Sequence, residues 1–133
     1  MLKTAVDVAD TLAEDGVSVR VLSMHTLKPL DEDALLAAAR ETGGIVTLEE
    51  HSIVGGLGSA LAEVVAEAGF DPGKRFARIG VPDVFPDEYE SQESSMRHHG
   101  IMTERVVAVT RSLLATSFRS AHELQGSRPA ERG

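Results

Sequence analysis

The chain has 133 residues, a normal size for one compact domain with a single hydrophobic core. Its formal net charge of -8 argues against nucleic acid or an anionic membrane as a partner, because both attract clustered Lys and Arg. The chain has no cysteine, which excludes disulfides, thiolate metal ligands and thiol nucleophiles. No apolar run is long enough for a signal peptide or a bilayer span, so we expect a cytoplasmic protein.

The first half of the chain changes between helical and strand periodicity. Apolar residues at helical spacing predict a first helix, which ends at Gly16, a residue suited to the left-handed conformation. The valines in residues 17–22 alternate with polar residues and predict a strand, and Pro29 prevents its continuation. Asp31 is suited to the N-cap of a second helix, which runs to Gly43.

The second half continues with the same alternation. Its predicted elements are a strand over residues 44–48, a helix from Leu57 that ends at Gly69, a strand over residues 76–81 and a last helix that is capped by Thr103. Between the last two lies a long loop over residues 82–100, with a helical turn near Ser94. We therefore expect one domain over residues 1–115 and a polar, flexible tail over residues 116–133.

Strands and helices that alternate at these lengths are typical of βαβ units. Such units give a mainly parallel sheet with right-handed crossovers and helices on both faces. The low aromatic content of 4% agrees, because it leaves a core of small aliphatic side chains. The predicted fold is a three-layer α/β/α sandwich.

Two ordered motifs carry a family resemblance. Residues 19–31 read VRVLSMHTLKPLD and residues 46–60 read VTLEEHSIVGGLGSA, and both resemble the transketolase C-terminal domain. Residues 78–85 (RIGVPDVF) and 100–103 (GIMT) resemble the last strand and the entry to the last helix of that domain. The sequence of these motifs is more similar to that of transketolases split into two chains than to that of deoxyxylulose-phosphate synthase or the β-subunit of 2-oxo-acid dehydrogenases.

This resemblance implies a thiamine-diphosphate-dependent enzyme that transfers a two-carbon ketol unit between sugar phosphates. In the family, thiamine diphosphate and Mg²⁺ lie between two preceding domains, and the C-terminal domain packs beside them and helps to form the dimer. The implied partners are those upstream domains, in the same enzyme or on another subunit, together with further copies of the chain. The sequence has no diphosphate-binding Gly-Asp motif followed by Asn, and we assign no catalytic, cofactor-binding or metal-ligating residue to this chain.

The resemblance also implies a strand that the sequence does not contain. Related domains open with a parallel strand, which lies between the strands that correspond to residues 17–22 and 45–48. This chain starts at the helix that follows it, so two rows of backbone groups would lack partners. Missing upstream sequence is the favoured explanation, and a strand supplied by a partner chain or a second copy is the alternative.

The motif Gly55, Gly56, Leu57, Gly58 and Ser59 follows a strand and opens a helix. Exposed N–H groups at such a point can hold a phosphate. The motif lacks the third glycine of a dinucleotide fingerprint and the lysine of a P-loop. We therefore favour a tight turn with close helix packing over an anion site.

Three polar residues precede that turn, at the carboxyl end of a predicted strand. This is the edge at which open α/β sheets usually bind ligands. Glu49 and Glu50 are adjacent and point to opposite sides, so they do not form an acid and base pair. The expected role is that of a solvated or interface carboxylate, with His51 as a neighbour across a subunit boundary.

Three functions from different classes remain open. The chain is the C-terminal domain or subunit of a transketolase, or it is a detached module that binds a partner, as the equivalent domain of 2-oxo-acid dehydrogenases binds an acyltransferase core. The third possibility is an independent domain that binds a small anion at the turn from Gly55 to Ser59.

Overall fold

The computed structural model describes residues 1–84 and 91–125. Its elements are α1 (Leu2–Glu14), α2 (Glu32–Glu41), β1 (Gly44–Ser52), α3 (Leu57–Glu67), β2 (Arg75–Val81), α4 (Gln92–His98) and α5 (Thr103–Gln125). In the described residues β1 and β2 form a two-stranded parallel sheet. The register places Gly44 opposite Arg75 and Leu48 opposite Ile79, and it is then irregular until Ser52.

One face of this sheet is covered by α1 and α5, which pack on each other. The buried core on this side is formed by Val8, Leu12, Ile79, Ile101, Val106 and Val107. Val46 and Leu48 of β1 also pack against it. Each of these side chains is aliphatic, as the composition predicted.

The opposite face is covered by α3, and α2 packs on α3. Leu35 and Ala39 of α2 are buried, as are Gly58 and Leu61 of α3. Helices thus lie on both faces of a parallel sheet, which confirms the predicted three-layer α/β/α architecture.

Local signals set the ends of two helices. The Asp31 carboxylate accepts a hydrogen bond from Ala34 N at 3.1 Å, so it caps α2 as predicted. Gly16 has φ +75°, and its N–H donates to Ala13 O while Val17 N–H donates to Leu12 O. This pair of bonds is a Schellman motif, and it satisfies carbonyl groups that the end of α1 leaves free.

The strand predicted over residues 17–22 is wrong, because the structure has neither helix nor strand there. A β-strand is defined by its hydrogen bonds to a neighbouring strand. Among the described residues β1 pairs only with β2, and residues 17–22 have no strand partner. These residues instead line a cavity that also borders β1.

The chain after β2 is more helical than the sequence pattern indicated. Part of the loop predicted over residues 82–100 is the two-turn helix α4, which Ser91 caps by accepting a bond from Ser94 N. Residues 85–90 of that loop lie outside the described residues. α5 begins at Thr103, so the residue predicted as its cap is the first residue of the helix, and α5 continues to Gln125, so the described part of the predicted tail is helical. No helix in the described parts of the chain is both long and apolar enough to cross a membrane.

The buried face of α1 supports a stability prediction. Leu12 is 0% exposed, whereas Leu2 in the same helix is 55% exposed. We expect Leu12→Ala to lower the free energy of unfolding by about 2–5 kcal/mol, because it removes buried methyl groups and leaves a cavity. The matched variant Leu2→Ala is expected to change it by less than about 1 kcal/mol. Urea unfolding followed by circular dichroism measures both, and equal losses would contradict this core assignment.

Candidate functional site

The turn between β1 and α3 brings together the residues that the sequence singled out. Thr47 and Glu49 of β1 are 4% and 3% exposed, although both are polar. Both lie next to the start of α3, since a Cβ built on Gly58 would meet Thr47 Oγ1 and one built on Gly56 would meet Glu49. The register between β1 and β2 is irregular between Leu48 and Ser52, the part of β1 that leads into the turn.

The Glu49 carboxylate binds the first turn of α3. Its Oε2 accepts from Leu57 N at 2.6 Å, and its Oε1 accepts from Gly58 N at 2.8 Å. Both N–H groups lack partners within the helix, and negative charge is favoured at a helix N-terminus. Of the two predicted roles for Glu49, the solvated carboxylate is wrong, because its side chain is an internal cap; the interface role stays a prediction.

This contact also decides the anion hypothesis. A phosphate at the start of α3 would need the Leu57 and Gly58 N–H groups, and the Glu49 carboxylate already holds them. A second anion beside a buried carboxylate would be repelled in a region of low dielectric constant. The structure therefore contradicts an anion site at this turn.

Glycine occupies the positions of the turn for different physical reasons. A Cβ on Gly56 would lie 2.0 Å from Glu49 Oε2 and 2.5 Å from His51 Cε1. A Cβ on Gly58 would lie 2.7 Å from Thr47 Oγ1 and 2.8 Å from Arg78 Cδ. Gly55 has open space around it, but its φ is +73°. Two glycines thus permit close packing, and Gly55 permits the turn.

Ser59 and Arg78 form further hydrogen bonds with the backbone of the turn. Ser59 Oγ accepts from Gly55 N at 3.1 Å and donates to Ile53 O at 3.1 Å. Arg78 Nη1 donates to the same Ile53 O at 3.0 Å and to Ser59 Oγ at 3.1 Å. Sequence reasoning missed Arg78. Its only sequence signal is a long charged side chain within an apolar strand, and its position opposite Thr47 follows from strand register.

Glu50 and His51 lie at the surface, and His51 borders the buried cap. The Met1 ammonium group is 2.7 Å from Glu50 Oε1, so this carboxylate points away from Glu49 as predicted. His51 is 60% exposed at its side chain, with Nε2 3.5 Å from Glu49 Oε2 and Nδ1 2.9 Å from Ser52 O. The structure thus brings His51 to Glu49 within one chain, and its proposed place at a subunit boundary stays a prediction.

The described residues do not fit the diphosphate and magnesium of thiamine diphosphate. Among residues 1–84 and 91–125, no group of three or more His, Asp or Glu side chains could hold a metal ion. The helix N-terminus after the glycine turn is filled by a carboxylate, which repels a diphosphate.

Substitutions of the cap test its role. Glu49→Ala leaves two N–H groups of α3 without their acceptor, so we expect a loss of about 2–4 kcal/mol in the free energy of unfolding. Glu49→Gln keeps one amide oxygen and should lose less. The matched control Glu50→Gln changes an exposed carboxylate and should cost under about 1 kcal/mol. Urea unfolding of the four proteins checks the order, and a Glu49→Ala variant as stable as the parent would contradict the cap.

The glycines give a second graded test. Gly56→Ala places a methyl group against the Glu49 carboxylate and should be the most destabilising, because the buried cap has to move. Gly55→Ala meets open space but keeps a positive φ, so we expect a loss of roughly 1 kcal/mol. Gly43 has neither a close neighbour nor a positive φ. Gly43→Ala should therefore be nearly neutral. Thermal unfolding ranks the three, and a different order would refute the packing argument.

The comparison with known proteins agrees with this structure. The model of the transketolase C-terminal domain matches residues 1–106. A 1-deoxy-D-xylulose-5-phosphate synthase of Geobacter sulfurreducens is 40% identical over 120 residues, which are 90% of this chain and 18% of that protein. A 6-deoxy-6-sulfo-D-fructose transketolase subunit of a Clostridium species is 45% identical over 85 residues, which are 64% of this chain and 26% of that subunit.

A solved structure gives the same assignment. It is described as a split-gene transketolase, an inactive β4 tetramer, and it superposes with a TM-score of 0.74 at 36% identity. The superposition covers 86% of this chain and 36% of that one, so this chain spans only a minor part of each relative. The chain belongs to the transketolase C-terminal domain family.

Proposed function

We propose that this chain is the C-terminal module of a thiamine-diphosphate-dependent transketolase and works together with domains that carry the cofactor. The assembled enzyme transfers a two-carbon ketol unit between sugar phosphates in the cytoplasm. The resemblance to a split-gene transketolase and to a transketolase subunit supports this proposal, because both names describe enzymes divided between chains.

The Glu49 cap is the observation that carries the proposed division of labour. The turn at the carboxyl edge of the sheet is where an α/β domain would usually bind a ligand. Here its donors and acceptors bind one another, through Glu49, Ser59 and Arg78. These bonds stabilise the turn and leave no anion site there. The module therefore contributes structure and subunit geometry, and another domain contributes the chemistry.

Self-association is part of the same proposal. The related structure is described as a β4 tetramer, which supports a homo-oligomer for this chain. Several large apolar side chains are exposed in the isolated chain, among them Leu2, Val54 and Val84. Burial of such side chains is a common driving force of association.

A second candidate activity is supported by the relatives. Several 1-deoxy-D-xylulose-5-phosphate synthases are 33–43% identical over 84–100% of the chain, a wider coverage than that of the transketolase subunit. The C-terminal module would have the same structural role in that enzyme. The two candidates differ in the reaction of the assembled protein.

Reconstitution tests this function. The chain is mixed with the polypeptide that carries the two cofactor domains in the same organism, and light scattering measures the molar mass. We expect a larger complex with thiamine-diphosphate-dependent ketol transfer, which neither chain has alone. Formation of 1-deoxy-D-xylulose 5-phosphate instead would select the second candidate.

The control for reconstitution is an unrelated acidic α/β domain at the same concentration. A folded chain that neither binds the cofactor-bearing polypeptide nor raises its activity would overturn the proposal.

A further inference from the structure

A second opening in the described residues lies between α3 and the beginning of β2. It has a volume of about 330 Å³, and we call it the α3–β2 cleft. Among the described residues it shares only Val65 with the cavity beside β1, so the two openings are separate. The side chains that border the cleft come from α3, from the connection after it and from β2, and they include Ala62, Val65, Ala66, Phe70, Lys74 and Phe76.

The walls of the cleft are apolar. Ala62 and Ala66 lie one turn apart on the same side of α3, and their short side chains leave room beside the helix. Phe70 and Phe76 are both partly buried, so part of each side chain is open to the cleft. The chain has four phenylalanines, so half of them border this one opening. Small-molecule sites in proteins commonly have this size and such apolar and aromatic walls.

Lys74 carries the charge among the described residues that line the cleft. Its Nζ donates to Thr42 O at 3.1 Å and lies 5.0 Å from the centre of the Phe70 ring. These two contacts hold the ammonium group in place, which reduces the entropy that is lost when it binds a ligand. An ammonium group has three N–H donors, and in the described parts of the chain its partners are a carbonyl and a ring, with no carboxylate. It therefore retains a donor for an anionic ligand.

The walls and the charge together restrict the ligand. A sugar phosphate would pair with the ammonium group, but its hydroxyl groups would lose water against apolar walls without a hydrogen-bonding partner. A neutral hydrocarbon would fill the cleft and form no contact with the charge of Lys74. An aromatic ring that carries a carboxylate satisfies both conditions, because the ring packs on apolar side chains while the carboxylate pairs with the ammonium group.

We propose that the α3–β2 cleft binds a small aromatic carboxylate, whose ring contacts Phe76 and Ala66 and whose carboxylate pairs with Lys74. This binding activity is separate from the function proposed above. None of its contacts involves the turn that Glu49 caps, and none requires a domain that carries thiamine diphosphate.

The probe is 3-phenylpropanoate, and NMR chemical shifts of the isotope-labelled chain report its binding. We expect saturable shifts at backbone amides of residues 62–66 and 69–76, with a dissociation constant of about 5 mM or lower, as for a ligand of this size. The neutral analogue 3-phenylpropanamide keeps the ring and should bind about fivefold more weakly, because it cannot form the ion pair. Propanoate, which lacks the ring, should give no saturable shift.

A lysine variant tests the ion pair. Lys74→Met keeps a long, unbranched side chain and removes the charge. We expect it to bind 3-phenylpropanoate about fivefold more weakly and to bind the amide as the parent does. A variant that only disturbed the fold would weaken both. The matched control is Lys28→Met, which changes an exposed lysine outside the cleft and should leave both affinities unchanged.

A glycine variant tests the location. A Cβ on Gly73 would meet no atom within 4 Å, and its φ is not positive, so the backbone accepts a larger residue. Gly73 lines the cleft, so the side chain of Gly73→Leu should fill it and abolish the saturable shifts for both probes. Gly43→Leu has the same open surroundings outside the cleft and should bind as the parent does. Circular dichroism confirms that both variants fold.

Three results would overturn the proposal. The first is a folded chain without saturable shifts in residues 62–66 and 69–76. The second is equal affinity for the carboxylate and the amide, or an unchanged preference for the carboxylate in Lys74→Met. The third is a set of shifts at these amides that depends on protein concentration and not on the probe, which would assign the cleft to contact with another copy of the chain.

Discussion

The Glu49 carboxylate connects the end of β1 to the beginning of α3, and much of the local structure depends on this contact. Two N–H groups of α3 bind its oxygens, and the side chain is almost fully buried. A carboxylate is stable in such a place only when its charge meets donors, which the first turn of a helix supplies. The absence of a Cβ on Gly56 gives it the space to reach them.

This contact explains why the motif of glycines is not a ligand site. The same N–H groups that would bind a phosphate hold a side chain of the chain itself. Ser59 and Arg78 add further bonds within the turn. The turn is therefore a fixed connection between the sheet and the second helical layer.

The two edges of β1 differ in what borders them. On one edge of β1 the ladder to β2 satisfies the backbone, and on the other edge the described structure has a groove instead of a strand. The chain belongs to the transketolase C-terminal domain family and spans a minor part of each relative named above.

The sequence by itself determined the elements whose signals are local. Asp31 marks the start of α2 and Gly16 marks the end of α1, because capping bonds and a positive φ involve only a few neighbouring residues. The layered architecture also followed from alternating periods. Tertiary structure decided the rest. Residues 17–22 have strand periodicity but form no strand. A strand forms only where another strand is hydrogen-bonded to it, and among the described residues none pairs with this segment. The burial of Glu49 was likewise not predictable, since the donors that stabilise it reach it only after the chain turns back at Gly55 and Gly56.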